Sequence, residues 1–392
     1  MTGSGGYTVQ APRRPWLLRQ APRLVALELA VLLALLLLLR GSFTGVIVGS
    51  ALVLLLLLSA LPLFAGRSAA DQFRLWLAYH RRQPAEVSAF DVPVDLVPLA
   101  EWVPELAVTA TTTGRGEEIG VAADGTGWIA VLALTGDDDL IADTGDELDL
   151  AALGALTRCD DIVFAGIQVV TYTVPAPTRV LLGPGSAAAA AYAEIVPRLP
   201  PAVRRTWLCV RLDPTLCLTA VTRRGAGQTG IEATLRFGLH RIQSHLKRAG
   251  VRTRALSAGE LYDVLALTTG ASPDGAAAER TDEFWEHWTC DGLVHTGLNV
   301  RGWGRDPSGA YADLLAAVTS APVLFALTSF TLDAAAEASG AIRLVTPDEA
   351  SARAAEDKVA ALVGTEVLLG GAGGVQVPTL LATVPLGRGV DL

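Results

Sequence analysis

Apolar residues follow two regimes along this chain. Between Leu24 and Phe64 they run almost without interruption, with leucine blocks at Leu35–Leu39 and Leu54–Leu58. Beyond residue 84 they return in short blocks separated by turn residues. The first regime predicts a transmembrane helical hairpin over 24–65, its helices at 24–39 and 42–65. At about 1.5 Å per residue the first helix covers about 24 Å, a little less than the hydrocarbon core, and the flanking Arg23 and Arg40 extend it by snorkelling. The second is long enough to span with some tilt, and Gly45 and Gly49 form a small-xxx-small step for close helix approach. No Ala-x-Ala cleavage site separates the two stretches, so a hairpin is expected rather than a signal peptide.

The second regime predicts alternating strands and helices. Ile119–Val121 and Trp128–Leu134 flank Ala-Asp-Gly-Thr-Gly and suggest a hairpin. A helix start near Asp146, a strand over Ile162–Val174, an Ala-rich helix over Ser186–Val196 and a strand over Thr206–Leu212 follow. Leu235, Leu239, Ile242 and Leu246 recur at three to four residues, which predicts a long helix over Ile231–Ala249 ended by Gly250. A strand Val251–Leu256, a helix Ala258–Leu267, a strand Thr289–Trp303, a helix Tyr311–Thr319, strands Val323–Leu332 and Ala341–Val345, a helix Asp348–Val363 and a β-rich tail Val375–Pro385 complete the reading. This rhythm argues for an α/β domain with a mixed sheet. The succession strand–helix–strand–helix occurs at 162–249 and again at 289–363, so two related halves are considered.

These patterns divide the chain into a basic N-terminus (1–23), the hairpin (24–65), a basic juxtamembrane helix (66–83), a Pro-rich connector (84–117) and a cytoplasmic α/β domain (118–392). Charge sharpens the division. Residues 1–83 hold nine Arg against Glu28 and Asp71, a balance of +7, whereas residues 84–392 hold 22 bases and 38 acids, a balance of −16. The arginines on both sides of the hairpin place both termini in the cytoplasm by the positive-inside rule and suit an anionic plasma-membrane leaflet. The acidic body is a poor match for nucleic acid. Four cysteines, Cys159, Cys209, Cys217 and Cys290, form no disulfide framework in a domain this size and read as reduced thiols.

Candidate chemistry is sparse. Gly225-Ala-Gly-Gln-Thr-Gly230 is a literal G-x-G-x-x-G opening the long helix. A dinucleotide site needs a strand feeding the loop and an acid about 20 residues on. Leu216–Val221 is the one candidate strand, and Val251–Leu256 ends without an acid, so the loop reads as a helix entry. Asp137–Asp139 with Asp143, Asp146 and Glu147 lack EF-hand spacing and read as a solvated acidic loop. His287, Cys290, Asp291 and His295 stand without a second Cys/His pair, and on one strand Cys290 and His295 would face opposite ways. His240 and His245 lie five apart on a helix. Phe284, Trp285, Trp288 and Trp303 read as core, with an interface anchor as the second reading. The expectation is therefore no catalytic, cofactor-binding or metal-binding residue, no cofactor and no enzyme.

Six stretches carry a resemblance. They are FRLWLAYHRR (Phe73–Arg82), WLCVRLDP (Trp207–Pro214), Arg223–Val251, LSAGEL (Leu256–Leu261), WEHWTCDGLVHTGL (Trp285–Leu298) and ATVPLG (Ala382–Gly387). In this order, behind an Arg-rich start and two apolar helices, the chain resembles the EccE family, a membrane component of the actinobacterial type VII (ESX) secretion apparatus. The resemblance implies a structural subunit at the periphery of a membrane complex, beside EccB, EccC and EccD. It supplies no site residues. The alternative is a membrane-tethered nucleotide- or sugar-nucleotide-dependent enzyme using the Gly225–Gly230 loop.

Overall fold

Long apolar strands and capped helices build the fold of the computed structural model. It describes residues 69–87, 92–114, 116–134, 148–175, 202–275, 280–364, 366–371 and 373–390, position 187, and scattered positions between 28 and 51. The chain divides into two compact units, Met1–Ala78 and Tyr79–Leu392.

In the first unit most of the expected hairpin lies outside the described residues. The described positions at 31–33, 35–37, 43–44 and 47–51 are helical. Among the described residues no helix is long and apolar enough to cross a membrane. Helix α1 (Ala69–Arg81) covers most of the expected juxtamembrane helix and enters the second unit at Tyr79.

The second unit begins with a short 3-10 turn, Val94–Leu96, and helix α2 (Val97–Ala100), which bury Leu96 and Leu99 completely or nearly so. Strands β1 (Ala107–Thr112), β2 (Glu118–Ala123) and β3 (Trp128–Leu134) follow, then helix α3 (Leu150–Leu153). Next come β4 (Arg158–Cys159), β5 (Ile162–Val163), β6 (Gly166–Pro175), β7 (Ala202–Leu212), and helices α4 (Leu218–Arg223) and α5 (Gly227–Arg248). Then β8 (Thr253–Ala255), α6 (Ala258–Thr269), β9 (Thr281–Glu283), β10 (Trp288–Cys290) and β11 (Leu293–Gly302) lead to α7 (Pro307–Thr319). The chain closes with β12 (Phe325–Asp333), β13 (Ala338–Thr346), α8 (Glu349–Leu362), β14 (Leu368–Leu369) and α9 (Gln376–Thr383). Helix starts follow capping chemistry. Ser257 and Glu260 form a capping box on α6, and Asp306 with Pro307 and Asp348 cap α7 and α8.

Twelve strands form one sheet in the order β1-β2-β3-β7-β6-β12-β13-β11-β10-β9, with β8 added to β3 and β14 to β11. The expected mixed sheet is corrected, because every described pairing is antiparallel. Adjacent strands such as β6–β7 and β12–β13 pair directly, and each such pairing reverses direction where a strand–helix–strand crossover would have kept it. Read outward from the central β6–β12 pair, the two halves have the same strand order. Helices cover both faces. One core holds Val169, Leu208, Phe330 and Leu344 under Leu235 and Leu239 of α5, Leu314 of α7 and Val359 of α8. The other holds Val170, Cys209 and Leu327 under Leu99 of α2, Leu261 and Leu265 of α6, and Leu380 of α9.

Four local expectations are corrected. Part of the stretch read as an extended connector, 84–117, folds into α2 and edge strand β1, since Leu96, Leu99 and Val103 have a core to fill. Leu216–Val221 is helical, not a strand. The tail 375–385 is mostly α9, whose Val377 and Leu380 pack on the sheet. Thr289–Trp303 is two strands turned at Asp291-Gly292, both with positive φ, the Asp-Gly signature of a tight hairpin.

Gly120 on β2 shows how closely the layers approach. A Cβ there would sit 2.6 Å from the Ser257 carbonyl oxygen and 2.9 Å from the Ala258 Cα, both backbone atoms at the start of α6. Gly120→Ala is expected to destabilise the full chain by about 1–3 kcal/mol, read as a lower urea midpoint with an unchanged slope.

Candidate functional site

The glycine loop is a helix junction. Gly225, Ala226 and Gly227 all have positive φ, which turns the chain sharply between α4 and α5. Gly230 lets the helices touch, because a Cβ there would lie 2.5 Å from the Val221 carbonyl oxygen. Arg223 and Arg224 beside the loop both hold Asp161, at 2.9 and 2.7 Å. Helix α4, not a strand, feeds the loop, and the sheet is antiparallel throughout its described pairings. The strand-loop-helix geometry of a dinucleotide site is therefore missing here, and the nucleotide-enzyme alternative is not favoured.

The β10–β11 hairpin sorts the His287–His295 cluster differently from the sequence reading. Trp288 lies directly opposite His295, so Trp288, Cys290 and His295 share one sheet face, a correction caused by the turn at Asp291-Gly292. His287 leaves the group, stacking on Phe284 at 4.6 Å and lying 3.8 Å from Glu349. Asp291 turns to Arg280 at 2.5 Å. Cys290 keeps only long sulfur contacts, 4.0 Å to the Gly270 carbonyl, and burial pushes its thiol up to about 12. Burial, aided by the Arg343 charge, holds His295 well below its ordinary pKa and so neutral. A neutral buried imidazole and an unreactive thiol supply neither a nucleophile nor a proton relay. Among the described residues no group of three or more His, Cys, Asp and Glu could hold a metal ion. Trp288 and Trp303 are core residues; Phe284 stays exposed. His240 is exposed on α5, and His245 is half-buried. The acidic run 137–147 lies outside the described residues.

The dominant polar features are two arginines that motif reasoning passed over. Arg211 on β7 and Arg343 on β13 occupy equivalent strands of the two halves, on the same sheet face. Arg211 donates two hydrogen bonds to Asp124, at 2.7 and 2.8 Å, one to Thr126 Oγ1 at 2.7 Å, and one to the Leu386 carbonyl at 3.0 Å. Arg388 adds a third bond to the same carboxylate at 2.8 Å. Burial alone would raise the pKa of Asp124; the hydrogen bonds and charges of Arg211 and Arg388 outweigh it and hold the group at about 2. Gln168 on β6 completes this end, donating to Ala382 O at 2.6 Å and accepting from Gly387 N at 2.8 Å. The chain leaving α9, in the second half, is thus tied to strands of the first.

Arg343 does the reverse. It donates to the carbonyls of Thr268 and Thr269, at the C-terminus of α6 in the first half, and contacts His295 Nδ1 at 3.3 Å. Trp288 lies beside it, 6.0 Å from guanidinium carbon to ring centre. Among the described residues no carboxylate pairs with this guanidinium; the two carbonyls at the negative end of a helix dipole do that work. Burial lowers its pKa to about 9, which leaves it charged at neutral pH. The sequence signal for both residues is an arginine set directly among apolar neighbours, Cys209-Val-Arg211-Leu and Ile342-Arg343-Leu.

These contacts lock the two halves of the sheet together. Residues 200–300 match the family model described as "Putative type VII ESX secretion system translocon, EccE". By this match the chain is similar to EccE. The matched segment runs from β7 to β11 and includes Arg211, the Gly225–Gly230 junction, Cys290 and His295. No curated protein matches the chain.

Replacing Asp124 tests the first arginine cluster. Its folded pKa lies below the unfolded value of 3.8, so its stabilisation is present above pH about 4 and lost as pH falls toward 2. Asp124→Asn is expected to cost about 2 kcal/mol at pH 7 and to flatten the acid limb of the stability curve, measured by urea unfolding between pH 3 and 7. An unchanged acid limb would show that this ion pair contributes nothing to folding.

Proposed function

We propose that this chain is a non-enzymatic structural subunit of a type VII (ESX) secretion membrane complex. The observation that carries the reading is the EccE match over residues 200–300, which runs from β7 through α5 and α6 to β11. In this reading residues 24–39 and 42–65 cross the plasma membrane as a hairpin with both termini in the cytoplasm, followed by the juxtamembrane helix and connector, and residues 118–392 form the main cytoplasmic domain. The exposed side chains of Val31, Leu32, Leu33, Leu35, Leu36 and Leu39 support it, because such a run in helical conformation calls for an apolar surrounding. The domain docks against neighbouring EccB, EccC and EccD type subunits. Its acidic surface, −16 over residues 84–392, sets orientation and encounter rate more than affinity.

Detergent extracts of the native membrane, run on blue-native gels, test the assignment. The chain is expected to co-migrate with the other secretion subunits and to remain in the membrane through a carbonate wash. Deleting it is expected to abolish secretion of the system's substrates. Migration as a free chain, together with undisturbed secretion in the deletion strain, would sink the proposal.

A further inference from the structure

The two ends of the sheet are treated differently. At one end β9 has three residues, two of them acidic, and its outer side is occupied: the Tyr79 hydroxyl donates to the Glu283 carbonyl at 3.2 Å and Arg82 lies 2.5 Å from the Glu283 carboxylate. Short length, charge and a covering segment are the usual protections of a sheet edge. At the other end β1 has six residues, Ala-Val-Thr-Ala-Thr-Thr, with no charge, no proline and an unbroken register against β2.

The direction of its unpaired groups follows from its neighbour. Gly120 of β2 sends its N–H away from β1, to the Leu256 carbonyl at 2.7 Å. Gly120 is opposite Ala110, so Ala110 directs its own N–H and C=O outward, and Val108 and Thr112 do the same by alternation. Thr112 bears this out, since its carbonyl accepts from Arg236 at 2.9 Å. Among the described residues the outward groups of Val108 and Ala110 meet no partner.

We propose that β1 pairs with the β1 strand of a second copy of this chain, antiparallel and centred on Ala110. Hydrogen-bonded pairs must join outward residues, which sets Ala110 opposite Ala110 and Val108 opposite Thr112 of the other copy, whose carbonyl takes the Val108 N–H on the lone pair that Arg236 leaves open. The choice of a second copy rests on charge. Exposed Glu105 lies just before the strand and the Arg236 guanidinium at its far end, so a two-fold brings the acid end of each strand toward the basic end of the other. An antiparallel strand with opposite charges at its ends complements itself. The inference does not depend on the secretion assignment.

Light scattering of the purified full chain in detergent is the test. Two copies per particle are expected, falling to one on dilution. Ala110→Pro removes an N–H that the single chain does not use, so circular dichroism and melting should hold while the particle becomes a single copy. Ala110→Cys under mild oxidation should give covalent dimers that the native chain does not, since hydrogen-bonded antiparallel pairs place Cα atoms about 5.5 Å apart, within disulfide range. Glu105→Arg should weaken association roughly tenfold through like-charge contacts at both ends. A single copy at all concentrations overturns the proposal, as does a dimer that survives Ala110→Pro. So does an Ala110→Cys chain that cross-links in membranes only to a different subunit. If Ala110→Pro fails to fold, the Ala110→Cys result decides.

Discussion

Everything in the folded unit depends on one antiparallel ladder, the pairing of β6 with β12. It joins Gly166 to Asp333 at one end and Thr173 to Ala326 at the other. Without it the chain would hold two half-sheets, each with a long apolar edge and both faces only partly covered. With it, Val169 and Phe330 meet under one helical layer while Val170 and Leu327 meet under the other. The pairing costs a large loop closure, because its strands lie about 160 residues apart in sequence, so it is the contact that local propensity supplies least.

The buried arginines answer that weakness. Hydrophobic contact across the β6–β12 seam is non-directional and tolerates sliding. A guanidinium held by named carbonyls does not. Arg211 reaches from a first-half strand to the exit of α9, and Arg343 from a second-half strand to the end of α6. Each half therefore fixes a helix end of the other, and a register slip at the seam would break both sets of bonds. The two solutions differ in electrostatics. Arg211 has a carboxylate partner in Asp124, which it shares with Arg388, whereas Arg343 relies on a helix terminus and an aromatic neighbour, a weaker compensation that fits its depressed pKa.

Much of the architecture was legible in the residues, and the failures have physical causes. The period of Leu235, Leu239, Ile242 and Leu246 located α5, because amphipathic spacing is a local signal, and the expected helix Ala258–Leu267 matches α6. Leu216–Val221 and Val375–Pro385 were misread because short apolar runs lack the length to separate strand from helix. Asp291-Gly292 was a readable hairpin signal that the surrounding β-branched run obscured. The strand order was not readable at all, since it depends on which distant edges meet. At the candidate site the histidine and cysteine cluster drew attention by composition, whereas Arg211 and Arg343 mattered through position. A charge inside an apolar strand is expensive unless it has partners, so it marks a place where the fold demands something specific.

That distinction bears on what this domain can do for a larger assembly. Enzyme sites keep reactive groups at the surface of a cleft with pKa values tuned toward neutrality. At three groups near the buried arginines the shifts run the other way. Cys290 is driven toward an inert thiol, His295 toward a neutral ring, and Asp124 toward permanent charge. Polar chemistry in the interior has been committed to holding two halves in one register. Cys290, His295 and Asp124 therefore bring no ionisation near neutral pH that would loosen the packing around them. Function then falls to the surfaces: the apolar start of the chain, the acid-rich body and the edge at β1.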